Sequence, residues 1–268
     1  MNPILFLNTK KRCRKQRLSC RQRGNVMKLN IDDGFRFGLG LFETILVLDN
    51  KAVLLKEHLH RLQESMSYFK IQKHIDEDAF LEFLEKDQKE GKSVLKATVT
   101  TENFLLERKD YLYKKEDYQE GFSLKKSFIL RNETSPFTYH KTLNYGDNIL
   151  EKRKAALSNF NEPYFINTKG FFTEGATTNL FFMRGNKIFT PTSDSGLLKG
   201  VLRDWVIDNY SVEEKHISQY DYHKYDEIFL TNSLLGIMPV KSIDSHILSS
   251  MEKSFSLHQE YESFLDTL

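Results

Sequence analysis

The chain has 268 residues, 40% hydrophobic and 28% charged, with a formal net charge of +2. That length holds one large or two medium α/β domains with a true core, and the near-neutral balance argues against a nucleic-acid-binding protein as a whole. No apolar run approaches the ~20 residues of a membrane-spanning helix, and both cysteines, Cys13 and Cys20, precede the patterned region, so a reducing, cytoplasmic compartment is the simplest expectation.

The segment "KKRCRKQRLSCRQR" (10–23) is densely basic and lacks the apolar run and cleavage site of a secretory signal. Folded-domain patterning begins at Met27, ahead of "KLNIDDGFRFGLGLFET". Residues 1–26 are therefore read as an extension upstream of the functional start. A disordered arm for nucleic acid or a membrane surface, or a transit-like peptide, are the alternatives.

Residues 41–69 read strand, turn, strand, helix: Asp49-Asn50 is a hairpin signal, and Leu55, Leu59, Leu62 and Met66 recur at helical spacing. A second amphipathic helix is expected over 76–92, with acidic residues in its first turn, where the helix dipole favours them. "SVLKATVTT" and "FSLKKSFIL" alternate as strands, and the polar, Pro-containing stretch 131–140 is the best linker candidate. Beyond it, "GDNILEKRKAALSNF" is helical. Residues 163–192 give three short strands joined by Lys-Gly, Glu-Gly and Gly-Asn turns. "LKGVLRDWVIDNY" is a helix entered through Gly200, and "EIFLTNSLLGIMPV" is strand, polar corner, strand. The expected organisation is a small α/β domain over 27–130, a linker over 131–138 and a larger domain over 139–268.

Several chemistries lack their residues. His58 and His60, two apart on a helix, point to different sides; there is no HExxH and no Cys/His cluster, so no metal site is expected. There is no GxSxG, and the GxG of "FGLGLF" precedes a strand and lacks its third glycine. Read alone, Glu174 in "FFTEGATTNLFF" is a solvated turn carboxylate and Lys141 one solvated lysine among many.

Read in order, however, "DDGFRFGLGLFET", "HLHRLQES", "HKTLNYGDN", "TEGATTN", "GLLKGVLR" and "LTNSLLGIMPV" resemble the class IV (fold type IV) pyridoxal-phosphate enzymes over about residues 27–242. These include branched-chain aminotransferases, D-amino acid aminotransferases and 4-amino-4-deoxychorismate lyases. The resemblance implies an α+β, two-domain fold with a small α/β N-terminal domain, a barrel-like C-terminal domain and the cofactor, pyridoxal 5'-phosphate, in the cleft between. It implies a homodimer acting on a small-molecule substrate, with no membrane or nucleic-acid partner.

By that resemblance, Lys141 is the cofactor-bearing amine and general acid/base, and Glu174 the carboxylate that keeps the ring nitrogen protonated. Arg61, the backbone N–H groups of Val201 and Leu202, and Ser233 match the phosphate contacts. Leu202 stands where the family has Thr, so a hydroxyl contact is lost. Asn232, beside Ser233, is a further phosphate contact; Asn179 and Tyr145 line the pocket, with packing and capping roles as the alternative; Glu43 and Phe37 fall at the substrate end, where Arg108 supplies charge from a shifted position. The blocks look most like those of the deoxychorismate lyases, which implies elimination of pyruvate to give 4-aminobenzoate. A branched-chain or D-amino acid aminotransferase is the alternative. Two departures stand out: Leu39 replaces an acid common in relatives, and 98–111 lacks an Arg- and Gly-rich stretch.

Overall fold

Asp32 caps the first helix among the described residues. Its Oδ1 accepts from the N–H of Phe35 at 3.3 Å, opening α1 (Asp33–Phe37), which ends at Gly38 with φ 71°, a left-handed conformation that glycine adopts at little cost. This computed structural model describes residues 29–268, of which Ile31–Leu268 form one compact unit; the reading of 1–26 lies outside the described residues.

Strand β1 (Leu41–Leu48) turns back through Asp49 and Asn50, at φ 43° and 68°, into β2 (Lys51–Ala52). Two central residues at positive φ suit the right-handed twist of a tight hairpin. Helix α2 (Leu55–Tyr68) buries Leu55, Leu59, Leu62 and Met66 along one face, together with His58 and Ser65. Helix α3 (Glu77–Lys86), capped by Asp76, is shorter than the expected 76–92. The β1–β2 turn is the reason: Asn50 Oδ1 accepts from Lys89 N at 2.7 Å and Asp49 Oδ1 from Gly91 N at 2.6 Å, so these N–H groups leave the helix. Strands β3 (Lys92–Val99) and β4 (Phe104–Asp110) complete an antiparallel sheet in the order β2-β1-β3-β4. The sequence reading contained no β4, whose mostly half-exposed, charge-rich residues carry no clean alternation.

After α4 (Lys115–Glu120) come β5 (Phe122–Lys126), α5 (Gly146–Leu157), β6 (Glu162–Ile166), β7 (Phe172–Gly175), β8 (Asn179–Arg184) and β9 (Lys187–Pro191). Helix α6 (Val201–Asn209), strands β10 (Val212–Lys215), β11 (Glu227–Asn232), β12 (Gly236–Ile243) and β13 (His246–Ile247), and helix α7 (Glu252–Leu265) follow. Strands β8-β11-β12-β5-β6-β7 pair in sequence, and β7 pairs back onto β8, closing a six-stranded barrel. Closure leaves these six strands without a free edge, while β9 and β10 extend the sheet from β8, and Leu124, Tyr164, Phe172, Leu180, Phe182, Leu230 and Met238 form part of the hydrophobic core.

Two sequence expectations change here. Residues 162–191 hold four strands rather than three, and Glu174 lies in β7 rather than in a turn; residues 176–178 make the turn to β8. Strand β5, counted with the N-terminal part, pairs inside the barrel. The two sheets meet through one apolar cluster: Leu46 and Val53 join Phe181 and Phe229, stacked at 4.8 Å, with Leu202 and Val206 of α6 and Leu257 and Tyr261 of α7. That packing sets β1 beside the start of α6.

Candidate active site

A cavity opens where β1, α2, the segment before α5, the β7–β8 turn, the loop before α6 and the β11–β12 corner converge. Lys141, Tyr145, Glu174, Asn179, Val201, Asn232, Ser233 and Arg61 all line it, so the structure brings these sequence-derived candidates together. Thr44, Thr177, Thr178, Leu198, Gly200 and Leu234 complete the wall.

Lys141 is held by its backbone. Its carbonyl accepts from Phe42 N at 2.9 Å, and Leu41 bridges Thr142, so the segment lies as an extra edge on β1. Its Nζ stands 4.4 Å from the centroid of the Phe42 ring and 5.3 Å from that of Tyr145. Burial disfavours the ammonium and brings its pKa down to about 8; Arg61 pushes the same way, against Glu43 and Glu174.

Glu174 pairs in register with Asn179 across the β7–β8 turn, which explains their five-residue spacing. Its Oε2 accepts from Leu198 N at 3.0 Å, and Arg131 Nη2 lies 3.1 Å from Oε1. Burial raises its pKa to about 7, although Arg131, the Leu198 N–H and Lys141 all draw it down. Arg131 sits over Phe165, its Cζ 3.8 Å from the ring centroid, and donates from Nη1 to Asn148 Oδ1 at 3.2 Å. Sequence reasoning missed Arg131 because it opens the segment read as a linker; the structure ties it to β6 by a bridge to Asn167.

At another wall, Arg61 donates from Nε and Nη2 to Glu43 at 2.8 and 2.6 Å and from Nη1 to the Lys199 carbonyl at 2.9 Å. Glu43 does not line the cavity. It sits behind Arg61, buried, and accepts in addition from His58 Nδ1 at 2.7 Å. Burial raises the Glu43 pKa, but Arg61 and the hydrogen bonds outweigh it and hold the carboxyl well below its usual range. An ionised carboxylate only accepts, so His58 carries its hydrogen on Nδ1; burial keeps that imidazole below its ordinary pKa.

Helix α6 begins at Gly200 with no side-chain cap, so the N–H groups of its first turn are open to an anion. A Cβ at Gly200 would stand 2.2 Å from Asn179 Oδ1; only glycine lets the backbone pass this close. Leu202 buries its side chain in the inter-sheet cluster and has only its backbone to offer the cavity.

Tyr145, Asn179 and Asn232 spend their polar groups bracing the wall. Tyr145 Oη donates to Ala176 O at 2.8 Å and Asn179 Nδ2 to Leu198 O at 2.8 Å. Asn232 Nδ2 donates to Thr177 O at 3.0 Å while its Oδ1 accepts from Leu234 N and Leu235 N at 2.9 and 2.8 Å. Buried Glu162 fixes the same turn from below, accepting from Thr177 N at 2.7 Å and pairing with Lys152 at 2.9 Å.

Two further candidates, like Glu43, do not line the cavity. Phe37 ends α1 and is 66% exposed, outside the lining residues. Arg108 donates from Nε to Ser93 Oγ at 2.8 Å, because the β3–β4 register directs it toward the β1–β2 turn.

The chain matches the amino-transferase class IV family over residues 40–243 and belongs to it. Its fold is that of the fold type IV enzymes. It is 28% identical over 236 residues to the aminodeoxychorismate lyase of Bacillus subtilis, covering 80% of each chain. It is 24% identical over 246 residues to the D-alanine aminotransferase of Bacillus licheniformis, covering 82% of this chain and 84% of the relative. The crystal structure of 4-amino-4-deoxychorismate lyase from Pseudomonas aeruginosa superposes with a TM-score of 0.80 at 24% identity, over 90% of this chain and 97% of that one.

Proposed function

We propose that this protein is a pyridoxal-phosphate-dependent lyase that eliminates pyruvate from 4-amino-4-deoxychorismate to leave 4-aminobenzoate, a folate precursor. The observation that carries the cofactor assignment is the meeting, in one cavity, of Lys141, Glu174 and the uncapped start of α6. The donor set fits the group: a lysine amine, a buried carboxylate for the ring nitrogen, and an anion cradle of Arg61, Ser233 and the Val201 and Leu202 N–H groups. The lyase assignment is supported by similarity to the B. subtilis enzyme across four fifths of both chains.

When bound, pyridoxal phosphate supplies a protonated aromatic ring that takes up the electron pair left by a breaking C–H bond beside the substrate amine. The chain's own residues do the rest. Lys141 would hold the cofactor through its side-chain amine. Its amine, whose pKa of about 8 leaves part of it uncharged near neutrality, then takes the proton from the amine-bearing carbon. Glu174 holds the proton at the ring nitrogen, and Arg131 beside it favours the carboxylate over the acid. Arg61, the α6 start and Ser233 bind phosphate and fix the ring against Lys141. Loss of that proton and cleavage of the C–O bond to the enolpyruvyl group leave an aromatic product, so the elimination is strongly downhill.

The exposed Phe35, Phe37, Phe128 and Leu130 provide apolar surface for a second copy, in keeping with a homodimer. Among the described residues no helix is long and apolar enough to cross a membrane, in keeping with a cytoplasmic enzyme.

The test is turnover of 4-amino-4-deoxychorismate by the cofactor-loaded protein with no keto acid present: 4-aminobenzoate and pyruvate should appear in equal amounts. No product from loaded protein refutes the lyase. The second reading, a class IV aminotransferase, is favoured by similarity to the D-alanine enzyme and requires a keto acid acceptor.

A further inference from the structure

The backbone of Lys141 is pinned to β1 on one side, and a second set of contacts holds the chain just before it. Thr142 N reaches back to the carbonyl of His140 at 2.9 Å, closing a three-residue turn with Lys141 at its centre. His140 does not line the cavity. Its ring lies against the end of α2, where Nδ1 and Ser65 Oγ share a hydrogen bond at 2.9 Å. The Tyr68 ring stands 4.6 Å away, centroid to centroid, and the Phe69 ring meets it edge-on at 5.2 Å. Phe137 packs on Phe69 at 5.7 Å, so the segment entering the turn rests on the same spot. Ser65 is buried, where a hydrogen bond left unmade costs more than at the surface. It stands one helical turn beyond Arg61, on the same face of α2. One rigid helix thus carries both the phosphate cation and the clamp on the residue preceding the amine.

We infer that His140 is a positioning residue: through Ser65 it fixes Lys141 relative to Arg61, and so favours a ligand that engages amine and phosphate site together. The inference rests on the cofactor assignment above and is indifferent to the choice between lyase and aminotransferase. Without the clamp, the turn around Lys141 is free to relax against α2. A ligand held at both ends loses by that relaxation. A ligand held by the amine alone does not.

The experiment titrates cofactor-free protein with pyridoxal phosphate and with pyridoxal, which keeps the ring and aldehyde but has a hydroxyl in place of the phosphate. Binding is followed by the absorbance band of the amine-bound ring in native, His140→Ala, Ser65→Ala and His140→Asn forms. Native protein should prefer pyridoxal phosphate. Each Ala variant should lower that preference about fivefold, within the range of one buried hydrogen bond, while binding pyridoxal as native protein does. His140→Asn, which keeps a polar atom near the place of Nδ1, should recover much of the loss, and the double variant should lose little more than either single one. The inference is overturned if the preference changes by about twofold or less, if both ligands weaken equally, as a general loosening would cause, or if Asn does no better than Ala. Native protein that shows no Lys141-dependent band with either ligand would remove the cofactor reading itself, and the inference with it.

Discussion

Replacing Glu43 by Gln keeps the shape of the side chain and removes its charge, which isolates the link between β1 and Arg61. The carboxylate is 1% exposed and accepts two hydrogen bonds from Arg61 and one from His58. A glutamine there retains one acceptor oxygen and turns an NH2 toward donors. Stranding one member of a buried ion pair costs about 3–5 kcal/mol. Arg61 keeps its bond to the Lys199 carbonyl and is 15% exposed, which favours the low end, about 3 kcal/mol. Against a total stability of ~5–15 kcal/mol the loss is readily measured by urea unfolding of the cofactor-free protein. The pH dependence has a definite sign. A carboxyl held below its ordinary value of 4.5 contributes stability that is present above 4.5 and is lost as pH falls toward the folded-state value. The gap between native and Glu43→Gln should therefore be flat from about pH 6 to 8 and close below about pH 4.5. A variant within about 1 kcal/mol of native at pH 7, or a gap that first opens above pH 6, would refute the reasoning.

Arg131→Met removes the cation beside Glu174, so the carboxyl should rise beyond its present value of about 7. The loaded protein should then release cofactor faster, most of all at acid pH, as followed by absorbance during dialysis. Gly200→Ala should weaken cofactor binding, because the new Cβ meets Asn179 Oδ1 at 2.2 Å; combining it with Asn179→Ala should restore part of the affinity, and simple additivity would argue against that contact. Asn232→Ala leaves the N–H groups of Leu234 and Leu235 without their acceptor. It should cost about 1–3 kcal/mol in urea unfolding and loosen the corner that presents Ser233.

Much of this arrangement could be read before any coordinates, for reasons that differ along the chain. The β1–β2 hairpin, α2, and α6 entered through Gly200 are local: alternation, a turn dipeptide and an open glycine cap each speak within a few residues. Lys141 and Glu174 carry no local signal, and only the order of several blocks singled them out. What escaped was non-local. Arg131 reaches Glu174 from a stretch whose Ser, Thr and Pro content reads as a connector. Leu198 acts through a backbone N–H, to which side-chain patterns are blind. Glu43, placed at the substrate end by the resemblance, is turned toward α2 by the period-two alternation of β1, which leaves Thr44 on the cavity side. Arg108, weighed as a charge from a shifted position at the substrate end, is sent toward the β1–β2 turn by its register on β4.

One measurement bears most directly on the claim that a single amine at the β1 edge holds the cofactor. The protein is incubated with pyridoxal phosphate, reduced with borohydride and digested, and the peptides are weighed. The account predicts the mass of the reduced cofactor on the peptide containing Lys141, and on no peptide when Lys141 is replaced by Ala. Stoichiometric label on a different lysine, or none on a protein that has turned yellow with cofactor, would contradict it.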